Sequence, residues 1–225
     1  MLNFSKKLSS KNSNLVIFVD EKGNFADAKN KIQNSVKSKI QLFLKQKKRN
    51  KQDSEIISFD IDQLSKCLLV KVTKKNEKNY PEELGSNLYN NIKINKINTL
   101  EIYVDSLKLD NNQLVNFISK FIHGFNLKSY SFYKYKTGKK NIPKSDNIIC
   151  VSEHIEKLKK NINYYKAVEA GVFFARDLVS EPPNVLTPKK YVEEIKKLKK
   201  LGLKINVYDE KKLKKLGMNA LLGVG

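Results

Sequence analysis

Asn14-Leu15-Val16-Ile17-Phe18-Val19 (NLVIFV) is a run of six residues without a charge and, beyond Asn14, without a polar side chain. A strand with one wet face alternates apolar and polar residues. An unbroken apolar run is the pattern of a strand covered on both faces, as in a parallel sheet held between layers of helix. The residues downstream change period. Across 27–46, Ile32, Val36, Ile40 and Phe43 recur at helical spacing and predict an amphipathic helix. Two further strands are expected at 55–60 and 66–72, preceded by a solvated loop at 45–55 (KQKKRNKQDSE).

The same alternation continues. Pro81-Glu82-Glu83 is a helix start, because proline fits the first helical position and carboxylates in the first turn complement the dipole. Leu84, Leu88 and Ile92 follow it on one stripe. A strand is predicted at 99–104. Asp110 is placed to cap a helix whose apolar face is Leu114, Phe117, Ile118, Phe121, Ile122 and Phe125. Another strand is expected at 147–151. A long helix at 153–179 carries Ile155, Leu158, Ile162, Tyr165, Val172, Ala175 and Val179, and Pro182-Pro183 must stop it. Thr187-Pro188 restarts a helix over Val192, Ile195 and Leu198, ending near Gly202. Leu203, Ile205 and Val207 alternate as a strand would, and Asp209 caps a short helix ending at Gly217. Strands alternating with helices predict an α/β fold: a mixed, mainly parallel sheet flanked by helices, then the first helix–strand–helix of a second α/β domain. The expected division is a domain over 1–180, a proline-rich linker at 181–187 and the start of a second domain at 188–225.

The 225 residues carry 44 Lys and Arg against 23 Asp and Glu, a formal charge of +21. That balance raises the alternative of a basic nucleic-acid-binding module. Arg49 and Arg176 are the only arginines, whereas specific nucleic-acid surfaces use the planar arginine fork. Lys, Asn and Ile are abundant together and share A/T-rich codons, so the charge reads as a diffuse compositional bias. No apolar run is long enough to span a bilayer, no secretory leader is recognised at the N-terminus, and a cytoplasmic location is expected. Cys67 and Cys150 sit in apolar runs without CxxC spacing, which points to reduced, structural thiols.

Few residues offer chemistry. His123 and His154 lack a partner at metal-ligand spacing and read as structural or surface residues. The pairs Glu82-Glu83, Glu193-Glu194 and Asp209-Glu210 are taken as helix-start carboxylates, and Asp60 and Asp62 as a weak pair near a strand end. Tyr130, Phe132, Tyr133 and Tyr135, interleaved with Lys128, Lys134 and Lys136, fit either a base-stacking platform or, as preferred, a half-buried strand. Leu222-Gly223-Val224-Gly225 lacks the remainder of a dinucleotide fingerprint. No catalytic, metal-binding or substrate-binding residue is assigned.

Two stretches add a resemblance. Residues 175–188 read ARDLVSEPPNVLTP, and 213–225 read LKKLGMNALLGVG. Ala175, Arg176, Leu178, Pro182, Asn184, Thr187 and Pro188 fit an A-R-x-L-x-x-x-P-x-N-x-x-T-P pattern, so the chain resembles the segment joining the two domains of the leucyl aminopeptidase (cytosol aminopeptidase) family; Ser180 departs from an asparagine common there. The resemblance implies a metallo-exopeptidase that releases N-terminal residues from peptides with two divalent ions (manganese, zinc or magnesium), usually assembled as a hexamer. It also implies that the ligands of those ions lie beyond these residues, so the chain alone is expected to be inactive. A structural or regulatory subunit of an aminopeptidase assembly is a second alternative.

Overall fold

A computed structural model describes residues 2–9, 13–49, 54–73, 77–137 and 147–224. The elements are β1 (Leu2–Ser5), β2 (Asn14–Val19), α1 (Asn34–Arg49), β3 (Ile56–Asp60), β4 (Lys66–Lys71), α2 (Tyr80–Ile94), β5 (Thr99–Tyr103), a 3-10 turn (Val104–Ser106) and α3 (Asn111–Ser129). They continue with β6 (Asn147–Val151), α4 (Ile155–Ser180), α5 (Pro188–Lys197), a 3-10 turn (Leu198–Leu201), α6 (Glu210–Lys215) and α7 (Asn219–Leu222). The chain divides into two compact units, Met1–Val172 and Phe173–Gly225, and α4 runs through the division.

The first unit holds one six-stranded sheet in the order β1-β6-β5-β2-β4-β3. Every pairing is parallel except β3 on β4. The sheet is therefore mixed and mainly parallel, as the apolar runs imply. The unbroken run of β2 lies at its centre and serves two cores. Val16 and Phe18 join Leu68, Val70, Leu100 and Ile102 against α2 and α3, whereas Leu15, Ile17 and Val19 join Cys67, Leu69 and Tyr103 against α1. Side chains on a strand alternate faces, so one strand feeds both layers. Phe18 sets its ring edge-on to Phe121 at 5.2 Å and to Phe117 at 6.3 Å. Burying such a side chain contributes roughly 1.5–3 kcal/mol.

Two glycines let α2 and α3 cross backbone to backbone. A Cβ on Gly85 would stand 1.9 Å from the Phe121 carbonyl oxygen, and one on Gly124 would stand 1.9 Å from that of Glu82. The caps follow the expected chemistry. The Asp110 carboxylate accepts from the amides of Asn112 and Gln113. Thr187 accepts from Lys190 N, Asp209 accepts from Lys212 N, and Gly202 (φ 86) and Gly217 (φ 68) close the last turns in the left-handed region.

Several expectations are corrected. The first helix begins at Asn34, not at 27, because Asp27 folds the preceding loop by accepting from Lys31 N and Ile32 N; Ile32 is buried from outside the helix. That helix continues to Arg49, so the predicted loop begins later, and 50–53 lie outside the described residues. Residues 203–207 are not a strand: the alternation of Leu203, Ile205 and Val207 has no ladder partner among the described residues. Strand β1, which has a single apolar pair in LNFS, was not anticipated; its register on β6 sets Leu2 beside Ile148 and Ser5 beside Val151. The second unit comprises the end of α4 and α5 to α7, and no residue of α5, α6 or α7 is buried.

Candidate functional site

The sheet has one topological switch. From β2 the chain moves outward on one side through α1 to the edge strand β3 and turns back to β4. It then crosses through α2 to β5 on the other side of β2. In open α/β sheets the carboxyl ends of strands at such a switch form the crevice where ligands bind. Here that position is built from the β2–α1 loop, the 3-10 turn after β5 and the start of α4.

Six charged groups of the crevice engage one another: Asp27, Asp105 and Glu153 with Lys29, Lys31 and Lys37. Asp27, with a side chain 5% exposed, accepts from Lys31 N (2.8 Å), Ile32 N (3.2 Å), the Tyr103 hydroxyl (3.0 Å) and Lys37 Nζ (2.7 Å). Lys31 Nζ lies 2.6 Å from Glu153 Oε1 and 3.7 Å from Asp105 Oδ2, and Lys29 Nζ lies 3.0 Å from Glu153 Oε2. Asp105 accepts from the Ser152 hydroxyl (2.7 Å) and Glu153 N (2.9 Å), which ties β5 to the entry of α4. The ammonium groups of Lys31 and then Lys29 hold the Glu153 carboxyl down at about 2. Burial and then the hydrogen bond to Asp27 push the Tyr103 hydroxyl well above its usual range. Burial works to raise Asp27, but its donors, led by Lys37, outweigh it and leave the carboxyl below its ordinary value. Neither Glu153 nor Tyr103 is thus poised as a base or acid near neutrality.

Beside this network lies a cleft of about 630 Å³ whose lining includes Lys29, Asp105, Lys108, Asp110, Glu153 and His154. His154 opens α4, its amide donating to the Ser152 hydroxyl. His123 is elsewhere: it is buried on α3, with Nδ1 2.9 Å from Glu169 Oε1 and its ring 4.7 Å from that of Tyr165. Asn126 Nδ2 donates to the other Glu169 oxygen at 3.0 Å. Sequence reading found no partner for His123 because Glu169 lies 46 residues away on another helix.

The remaining candidates are structural. Glu82-Glu83 and Asp209-Glu210 sit in first helical turns. Glu193-Glu194 do not: α5 begins at Pro188, so they lie mid-helix and pair with Lys190 and Lys197. Asp60 pairs with Lys66, while Asp62 folds a turn by accepting from Leu64 N, Ser65 N and the Ser65 hydroxyl. The aromatic segment 130–135 is not a strand but a loop after α3, with a turn closed by Lys136 N on the Tyr133 carbonyl. Lys134 lies over the Tyr135 ring and Lys136 over that of Tyr133. Burial pushes the thiols of Cys67 and Cys150 up to about 12, and both cysteines are free. Gly225 lies outside the described residues, and Gly223 has ordinary right-handed geometry.

A metal centre needs three or four donors from one cluster. Among the described residues no group of three His, Cys, Asp or Glu side chains is placed to hold an ion. The nearest approach, His123 with Glu169, supplies two, and its third neighbour, Asn126, donates rather than ligates. Among the described residues these donors do not form a two-ion centre.

Residues 173–225 match the model of the cytosol aminopeptidase family, catalytic domain. The chain is 32% identical over its whole length to the cytosol aminopeptidase of Rickettsia prowazekii and 31% identical to a probable cytosol aminopeptidase of Rickettsia typhi, covering 47% of each. Along its whole length the chain is similar to these cytosol aminopeptidases. It is also 36% identical over 131 residues to a probable cytosol aminopeptidase of Phytoplasma australiense, covering 26% of that protein. It spans about half the length of the family members it matches from end to end. Among solved structures, a mutant of tomato leucine aminopeptidase superposes on 96% of the chain with a TM-score of 0.71 at 17% identity, covering 46% of that protein. The bottromycin maturation enzyme BotP in complex with Mn superposes on 92% with a TM-score of 0.57 at 14% identity, covering 40%. These structural likenesses show a shared fold. No helix among the described residues is long and apolar enough to cross a membrane.

Proposed function

We propose that these 225 residues are the N-terminal portion of a leucyl-aminopeptidase-type metallo-exopeptidase that removes N-terminal residues from peptides in the cytoplasm. In this reading 1–180 form the N-terminal α/β domain with its connecting helix, 181–187 the linker and 188–225 the start of the catalytic domain. The observation that carries the reading is the match of 173–225 to the family's catalytic domain, together with end-to-end similarity to about half the length of the Rickettsia proteins. In the complete enzyme two divalent ions (manganese, zinc or magnesium) would activate water and polarise the scissile carbonyl, and the family's hexamer would be the assembly. No step of that chemistry is assigned to a residue of this chain.

The test is hydrolysis of leucine p-nitroanilide by the purified 225-residue chain with added manganese. The expected result is no turnover above buffer. Metal-dependent turnover would overturn the assignment of the chemistry to residues outside the chain. The genomic reading frame after the Gly225 codon supplies the converse test: it should continue into a segment rich in Asp, Glu and Lys, and an immediate stop would favour a stand-alone or regulatory subunit.

A further inference from the structure

Helix α4 is 26 residues long, yet only Leu158, Ile162 and Glu169 along it are buried. With half-buried Tyr165 they stand at i, i+4, i+7 and i+11, a single stripe facing the rest of the first unit. The last position of that stripe holds a carboxylate where the pattern calls for an apolar side chain. Beyond Ile162, the Tyr165 ring on His123 and the Glu169 carboxylate between His123 and Asn126 tie α4 to α3.

An apolar residue at 169 would bury its surface without caring about direction, because the hydrophobic effect is non-directional. Small rotations or slips of the helix would cost it little. A buried carboxylate is different: it must meet its donors at hydrogen-bond distance or lose several kcal/mol of hydration uncompensated. Both Glu169 oxygens meet theirs, at 2.9 and 3.0 Å, in one rotation of α4. We propose that the His123–Glu169–Asn126 triad is an orientation lock: it fixes the register of α4 on α3, and so the direction in which the connecting helix leaves the sheet domain. The three act as positioning residues and touch no substrate. Replacing a buried, hydrogen-bonded polar pair by apolar residues of the same shape can be nearly neutral or stabilising, so the lock is expected to set geometry rather than add stability. The other charged or titratable groups facing it are Lys166 and Tyr165 on α4 and Glu82 on α2, with Lys120 of α3 3.5 Å from Glu82. None of these substitutes for the two donors of Glu169.

The experiment uses the full chain with spin labels on cysteines introduced at exposed Leu64 and Ala170; the native thiols are buried and stay unlabelled. Electron–electron distance measurement should give one narrow population in the parent. His123→Leu with Glu169→Leu should broaden that distribution at least twofold or split it, while the urea midpoint stays equal or rises. Glu169→Gln, which keeps the shape and an acceptor oxygen, should retain the parent width. Asn126→Ala removes one donor at a half-buried position and should broaden the distribution by an intermediate amount, which keeps the question open to measurement if the double variant does not fold. A parent-like narrow distance in the double leucine variant, or in Asn126→Ala, would overturn the lock. So would a Glu169→Gln distribution as broad as that of the double leucine variant.

Discussion

Adding one methyl group to Gly124 should force α2 and α3 apart. Its Cβ would stand 1.9 Å from the Glu82 carbonyl oxygen and 2.5 Å from the Glu82 carbonyl carbon and Cα. These obstacles are backbone atoms, so no rotamer change relieves the clash. Reaching the 3.4 Å at which ordinary contact begins requires 3.4 − 1.9 = 1.5 Å of separation between α3 and the first turn of α2. The crossing is lined by Leu84, Leu88, Phe121 and Phe125, all fully buried. A gap of ~0.5–1 Å already forfeits a quarter to a half of each dispersion contact. Overpacking of this kind costs ~1–3 kcal/mol, and the rigid obstacle places it at the upper end. Alanine regains about 1 kcal/mol over glycine as a helix former, leaving a net loss of about 2 kcal/mol. With a urea slope of about 2 kcal/mol/M, the midpoint of Gly124→Ala should fall by about 1 M, read by far-ultraviolet circular dichroism. Gly171→Ala is the internal control: nothing lies within 4 Å of its Cβ position on α4, so only the helix-propensity gain of up to about 1 kcal/mol remains. Gly85→Ala should resemble Gly124→Ala, and the double variant should lose less than the sum, because separating the helices once serves both methyl groups. A Gly124→Ala midpoint no lower than that of the parent would refute the backbone-to-backbone crossing.

Acid should weaken the crevice network: Glu153, held at about 2 against an ordinary 4.5, contributes stability that is complete above about 4.5 and is lost as pH falls towards 2. The parent's urea midpoint should therefore drop between pH 6 and pH 3 by more than that of Glu153→Gln, and equal drops would exclude the Lys31 and Lys29 pairs as the source. Asp110→Ala removes the acceptor for two amides of the α3 first turn and should cost ~1 kcal/mol, visible as a lower thermal midpoint. Neither Cys67 nor Cys150 should react with a thiol reagent in the native chain at pH 8, since burial pushes both up to about 12. Both should react on addition of denaturant, and rapid native labelling would contradict their burial.

The architecture was legible wherever one physical rule dominated. The unbroken apolar run of β2, the heavy apolar face of α3 and the Pro182-Pro183 stop each admit one reading, and each is found as expected. Failures came where a local pattern needed a distant partner. Leu203, Ile205 and Val207 alternate like a strand but meet no ladder among the described residues, and the tyrosines at 130–135 do the same. Conversely, LNFS looks unremarkable and becomes a strand because β6 offers it an open edge. The site followed the same logic. Asp110 was recognised as a cap because capping is local. The partnerships of Lys31 with Glu153 and of His123 with Glu169 span 122 and 46 positions, and no spacing rule reaches across them.

The crevice is a place where charges of the fold pair with one another. At the switch point three carboxylates, Asp27, Asp105 and Glu153, face three ammonium groups, Lys29, Lys31 and Lys37, so the local charges balance. An incoming ligand would have to displace an existing pair at 2.6–3.0 Å and would gain only the difference between two similar interactions. The fold thus uses the position where an α/β sheet ordinarily binds to tie the β2–α1 loop to the entry of α4. What it holds in place is the helix that runs on into the segment matching the family's catalytic domain. The same helix is held further along by Glu169, between His123 and Asn126. Its two polar anchors, Glu153 at the entry and Glu169 four turns on, therefore meet opposite demands. The first is half-open and paired with long-stemmed lysines, tolerant of small shifts; the second is buried and directional. The helix is thus tied at its entry, where Asp105 accepts from Ser152 and Glu153 N, and again at Glu169.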